Sequence, residues 1–256
     1  MRLAPRAALF GGSSGRDAVL GHVIERGSYV NFEFGALSES FRRDRDVVLA
    51  AVAKNGASLE FADESLKSDR DVVVASVAQK PMALQFADES LRSDRDVVFL
   101  AVAKHGDALQ FADERLKRDR GVVLAAVANY GDALQFADES LKSDRGVIMA
   151  AVKNNAEAFK FVASSAKRDR DLVLAAVTLR PAAFEFVDES FRRDRDVLLA
   201  AGAGVLEFAD ESLKRDRSLV LGAVKQQGLA LQWAHESLKC DREPQVRPRG
   251  RPSGRH

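Results

Sequence analysis

Apolar and polar positions follow one another along this chain in a pattern that predicts short helices in pairs. In the stretch DRDVVLAAVAKNGASLEFADESLKS, Asp44 to Ser68, the residues Val48, Ala51 and Val52, with Leu49 beside them, fall at helical spacing. They predict a first helix over 45–54. Leu59, Ala62 and Leu66, widened by Phe61, predict a second over 57–67. Asp44 stands where an N-cap belongs, its carboxylate placed to accept from the free amides of the first turn. Asp46, inside that turn, suits the positive end of the helix dipole.

The pattern repeats. Asp-Arg occurs at Asp44-Arg45, Asp69-Arg70, Asp94-Arg95, Asp119-Arg120, Asp144-Arg145, Asp169-Arg170 and Asp194-Arg195, each step being 25 residues. A step of 22 leads to Asp216-Arg217, and a last step of 25 to Asp241-Arg242. With a degenerate copy starting at Arg16-Asp17, residues 16–242 hold nine units. Residues 1–15 read as a flexible N-terminal segment, and 243–256, rich in Arg, Pro and Gly, as a disordered tail. Helices of about ten residues are marginal alone in water, so neighbouring units must hold one another. The expected fold is all-α, an α-solenoid of stacked helix–turn–helix repeats. The copy beginning at Arg195 lacks three residues around Gly202 and Gly204, so a bend or stacking fault is expected there.

Read as columns, the copies refine the turn and the core. The Gly56 column holds Pro81, Gly106, Gly131, Ala156 and Pro181. Proline fixes φ at about −65°, which argues against a left-handed glycine cap and places this column first in the second helix. The residue before it is then extended, where Asn55 or Asn155 can cap the second helix. The Phe61 column continues as Phe86, Phe111, Phe136, Phe161, Phe186, Phe208 and Trp233. An aromatic stripe repeated in each full unit at helical spacing is expected in the core rather than in a ligand cleft. The Ala50 and Ala51 columns are almost all small, which lets helices of adjacent units approach closely.

The unit resembles the helical repeat family called domain of unknown function 4116. The residues that carry the resemblance are Leu59, Phe61, Ala62, Leu66, Asp69, Arg70, Val72, Val73 and Val77 with their copies, over about 16–242. The resemblance implies helical repeats and no assigned activity. The copy reading FVASSAKRDR departs from the pattern, having lost the Asp-Glu pair. A more distant likeness is to leucine-rich variant repeats, which also pair short helices.

Composition narrows the chemistry. The 256 residues carry 39 Lys and Arg against 38 Asp and Glu, a net charge of +1. One Cys excludes a disulfide framework or a Cys-cluster metal site. Cancelled charge with 46% apolar residues argues against a disordered chain. No apolar run approaches the ~18 residues that span a membrane. Gly11, Ser13 and Gly15 match G-x-S-x-G, but they lie in GGSSG without the strand–turn–helix frame of a nucleophile elbow, and read as linker. There is no phosphate loop and no H-E-x-x-H. The histidines His22, His105, His235 and His256 share no metal-ligand spacing, and Cys240 reads as a surface substitution. No catalytic, cofactor or metal residue is assigned.

Two charged features recur instead. The pair Asp63-Glu64 returns as Asp88-Glu89, Asp113-Glu114, Asp138-Glu139, Asp188-Glu189 and Asp210-Glu211. A catalytic pair is needed once, so a surface role is expected, with Asp63–Lys67 as an i,i+4 helix pair. In the Asp-Arg ladder, each Asp caps a helix and each Arg is expected to reach a carboxylate of the neighbouring unit. The alternative is an anion-binding Arg row. Residues 1–44 carry +1 and 242–256 carry +4, which leaves −4 on 45–241. The array is therefore no basic groove, and nucleic acid is disfavoured as a partner because phosphate contacts dominate that affinity. The unit 145–169, at +3, is the exception.

These features predict a non-enzymatic repeat scaffold for protein–protein interaction, monomeric or weakly self-associating and without a membrane. Variation concentrates in the turn columns, at Lys54, Lys80, His105, Asp107, Tyr130 and Arg180, which mark a partner edge. The alternatives are a nucleic-acid-associated protein using the basic tail, and an accessory region of a larger enzyme. The compartment is cytoplasmic by default. The start MRLAPRAALFGGSSGR, with three Arg and no acid, also fits organelle import.

Overall fold

The computed structural model describes residues 38–239. The segments assigned above to 1–15 and 243–256, and the degenerate first copy up to residue 37, lie outside the described residues. Each unit is built from three pieces. First comes a ten-residue α-helix, as in Arg45–Lys54, Arg70–Gln79, Arg95–Lys104, Arg120–Asn129, Arg145–Asn154, Arg170–Leu179 and Arg217–Gln226. A six-residue 3-10 helix follows, as in Gly56–Phe61 and Pro81–Phe86. Last comes a single helical turn, as in Glu64–Lys67.

Local chemistry sets these boundaries. Asp44 Oδ1 accepts from the Asp46 and Val47 amides at 3.1 and 3.2 Å, so the long helix starts on its own cap. Asn55 ends it in an extended conformation, φ −147° and ψ 107°, with its amide donating to the Ala51 carbonyl. The same residue opens the 3-10 helix, its Oδ1 accepting from the Ala57 amide at 3.1 Å. One extended residue is thus the whole joint. Pro81 and Pro181 occupy the first 3-10 position, where the missing amide costs nothing.

The continuous helix expected over 57–67 is not what forms. Ala62 and Asp63 are extended, at φ −66°, ψ 153° and φ −62°, ψ 151°, and split the segment in two. The amide at this position bonds out to the preceding unit instead of along a helix, Asp63 to the Arg42 carbonyl at 3.0 Å, and Ala163, which has no cap to offer, does the same to the Lys142 carbonyl at 3.0 Å. Asp63 Oδ1 accepts from the Ser65 amide at 3.1 Å and from its hydroxyl at 2.8 Å, a local bond that competes with helix propagation.

The split moves the core. Val47, Val48, Ala51, Val52 and Leu59 are fully buried, as are the Leu59 equivalents Leu84, Leu109, Leu134, Phe159, Phe184 and Leu206. Each Val, Leu or Phe among them contributes about 1.5–3 kcal/mol through burial. The aromatic column two residues on, Phe61, Phe86, Phe111, Phe136, Phe161, Phe186 and Phe208, is only half-buried and packs against that core from its rim. Trp233 is exposed. The Phe column thus packs on the core as its rim and not as its centre, and Trp233 lies outside it. Residues two apart do not share a face in either helix type, so with Leu59 fully buried Phe61 falls to the side, at the rim of the core.

Successive long helices pack side by side, and successive 3-10 helices do the same. A backbone bond stitches neighbouring units: the Asp63, Asp88, Asp113 and Asp138 amides donate to the carbonyls of Arg42, Lys67, Arg92 and Lys117 at 3.0–3.1 Å. In the short copy the long helix stops after seven residues, Arg195–Ala201. Gly202, at φ 86°, is the one positive-φ residue among those described and replaces the extended joint. The 3-10 helix Ala203–Phe208 then resumes the pattern and packs between its neighbours. The three missing residues come off the end of the long helix, and the joint remains one residue long.

Candidate functional site

Stacking long helices in parallel brings their N-terminal ends to one rim and their C-terminal ends to the other. On the first rim lies the Asp-Arg ladder. Arg45 Nε donates to Asp69 Oδ2 at 2.7 Å and Nη2 to Asp71 Oδ2 at 2.7 Å. Arg95–Asp119, Arg120–Asp144 and Arg170–Asp194 repeat the rung at 2.8, 3.0 and 2.7 Å. Arg70–Asp94 does so at 3.2 Å and Arg195–Asp216 more loosely at 3.7 Å. The guanidinium bonds hold Asp69, Asp119, Asp144 and Asp194 below the ordinary carboxylate range. Exposed pairs of this kind contribute about 0–1 kcal/mol each, so the rungs set spacing more than stability. Arg217 heads the last described long helix, capped by Asp216.

One rung is absent. Arg145 makes no ion pair with Asp169 and instead donates to the Asp171 carbonyl at 3.5 Å. The break falls in the copy that lost its acidic pair. Ala163 and Ser164 stand there for Asp and Glu, and Lys167 Nζ turns to the Lys160 carbonyl at 2.8 Å. Desolvation lowers the pKa of Lys167.

The acidic pairs sort differently from the i,i+4 expectation. Lys67, Lys117, Lys142 and Lys214 pair with Glu64, Glu114, Glu139 and Glu211 at i,i+3, with 2.8–3.1 Å separations. Asp63, Asp138 and Asp210 pair with Arg43, Arg118 and Arg193 of the preceding unit at 2.9–3.1 Å. The extended break at Asp63 turns its carboxylate away from Lys67, which is why the spacing misled. This second row of rungs was legible in the Arg43, Arg118, Arg168 and Arg193 column. A carboxylate carrying both a cap and a rung is held low: Asp63, bonded to Arg43 and Ser65, falls to about 2. Asp138 and Asp210, bonded first to Ser140 and Ser212, also fall to about 2.

The opposite rim is tied by donors that reach back to the previous unit's last carbonyls. Asn129 Nδ2 donates to Ala103 O at 3.0 Å, Asn154 Nδ2 to Ala128 O at 3.0 Å, and Lys104 Nζ to Ala78 O. Arg180 Nη2 donates to Lys153 O at 2.8 Å. Here the predicted partner edge comes together. Lys54, Lys80, His105, Tyr130 and Arg180 are exposed, whereas Asp107 is half-buried. The His105 and Tyr130 rings stand 6.2 Å apart. Leu179, which the turn columns of the sequence do not include, joins them at 40% exposure. Asp107 Oδ1 is buried without a partner. Its equivalent Asp132 accepts from Asn155 at 2.8 Å, but the residue facing Asp107 is Tyr130.

Between the rims runs an apolar strip on the outer face of the long helices. It consists of Leu49, Val74, Phe99, Leu124, Met149, Leu174, Leu199 and Leu221, one per unit. Phe99, Leu199 and Leu221 are 41%, 47% and 50% exposed, and the other five are half-buried against the core. Elsewhere a shallow groove lies between two units, lined by Arg92, Phe111, Glu114 and Lys117. Among the described residues no three His, Cys, Asp or Glu side chains converge as a metal site needs. No helix among them is long and apolar enough to cross a membrane.

The comparisons with known proteins agree with the repeat architecture. A family model described as Domain of unknown function (DUF4116) matches residues 27–67, 44–85, 69–117, 119–165, 169–201 and 203–239. No curated protein and no solved structure matches the chain. Successive matches covering most of the sequence, over units whose caps and joints share one design, place it: the chain belongs to the DUF4116 repeat family.

Proposed function

We propose that the protein is a non-enzymatic scaffold that binds a protein partner along its turn edge. The observation that carries this reading is the concentration of Tyr130, Leu179, His105 and Arg180 on one exposed rim of a regular stack. Exposed Tyr and Arg beside an apolar side chain are the composition of interface anchors. The interior is invariant in character, so units differ chiefly where a partner reads them. The polar groove at Phe111 offers opposed charges but no activated nucleophile or base. The experiment is crosslinking capture from cell extract with the full chain, the Tyr130→Ala/Arg180→Ala variant, and a Glu64→Ala/Glu114→Ala control on the other side of the stack. A partner lost with the edge variant and kept with the control supports the reading. Capture unaffected by the edge variant overturns it. Labelled RNA over a salt series tests the nucleic-acid alternative, which needs binding that weakens steeply with salt.

A further inference from the structure

The outer strip carries a second message that does not depend on the turn edge. Its apolar residues recur once per unit, and polar rims bound it on both sides. The two rims differ in sign. Among the eight long helices and their caps, the N-terminal ends carry thirteen Asp against eight Arg, from Asp44, Arg45 and Asp46 through to Asp216 and Arg217. Asp71, Asp96 and Asp196 stay 79%, 82% and 72% exposed although each pairs with an Arg of the preceding unit, so the excess of Asp over Arg is what gives this end its sign. The last turns carry Lys54, Lys104, Lys153 and Lys225 and no acid. An apolar band thus lies between an acidic border and a basic one.

We propose that this strip is the contact surface for a second copy of the chain, laid alongside in parallel. Turn one copy by half a turn about the direction of stacking. Strip then meets strip, and the acidic border of each copy meets the basic border of the other along its length. The long helices cross the contact antiparallel, so their dipoles oppose favourably as well. The only partner certain to share this repeat spacing is another copy. The exposed Phe99, Leu199 and Leu221 therefore meet their counterparts in register, over half-buried strip residues in the units between. The opposite orientation sets acid against acid and base against base, which is disfavoured. A polar-rimmed apolar patch facing its own complement is the arrangement of an isologous dimer.

The test uses the full chain in analytical ultracentrifugation from micromolar to near-millimolar concentration. A reversible dimer is expected. Phe99→Lys with Leu199→Lys should raise its dissociation constant by about tenfold or more with unchanged far-ultraviolet helicity. Two border variants keep the strip intact. One copy carries Asp71→Lys and Asp96→Lys, and the other Lys54→Glu and Lys104→Glu. Each alone should be monomeric, and an equimolar mixture should dimerise. A monomeric wild-type chain overturns the proposal. So does a dimer indifferent to the strip substitutions, or a mixture that stays monomeric. Loss of the dimer with partner capture intact separates this contact from the turn edge.

Discussion

At the scale of single residues, the array is a set of aspartates with two tasks each. Asp44, Asp69 and their copies cap a helix with one oxygen and, in most units, accept an arginine with the other. The missing rung at Arg145 offers a built-in control. Arg95→Ala should cost up to about 1 kcal/mol in denaturant unfolding, and Arg145→Ala close to nothing. Equal losses would deny the ladder any part in stability. The core makes a sharper contrast. Leu109→Ala removes a fully buried side chain and should cost about 2–5 kcal/mol. Phe111→Ala, at the half-buried rim, should fall below the ~3–5 kcal/mol of a fully buried Phe. Thermal melts of the two variants side by side decide the register. In the sequence the Phe column reads as core because aromatic recurrence marks a packed face. It does not tell a six-residue 3-10 helix from the start of an α-helix.

At the scale of elements, caps and joints were legible and the break inside the second helix was not. Asp44 ahead of an apolar run, Asn55 before glycine, and proline at the following column each fixed a boundary. Asp63-Glu64-Ser65 is also a capping sequence, but it sits within a helical pattern, and periodicity alone favours continuation. The short copy shows how firmly joints hold. Three residues are missing, yet Gly202 restores the path with one left-handed residue. At the joint after Asn129 the match is imperfect, since Asp107 Oδ1 is buried unpartnered beside Tyr130. Tyr130→Asn supplies the amide that Asn155 gives Asp132. It should stabilise the fold by about 0.5–1.5 kcal/mol, raising the melting temperature. A lower melting temperature would show that the ring's packing matters more than the lone acceptor.

At the scale of the whole molecule, the depressed aspartates act together. Asp63, Asp138 and Asp210 sit at about 2 in the fold, against about 4 for an unperturbed aspartate. A lowered folded pKa contributes stability that is complete above the unfolded value and lost as pH falls through the folded one. Helicity and melting temperature should therefore hold down to about pH 4 and decline steadily toward pH 2. A flat profile over that window would mean that the paired carboxylates are no more acidic than free ones. Charge patterning at this scale needed the structure. Net neutrality was plain in the sequence, but the separation of signs onto opposite rims appears only when the long helices lie side by side.

The one-residue joint has a consequence for how such a chain changes length. Each 25-residue segment brings its own starting cap, its own joint, the donor of one rung and the acceptor of the one before. A segment copied in frame at an Asp-Arg boundary therefore arrives with both docking halves ready. The resulting array closes over the insertion without a new packing solution. Deletion of a whole segment reseals in the same way. Array length is the property that tandem duplication can alter most freely in this protein, while the content of a unit stays under constraint.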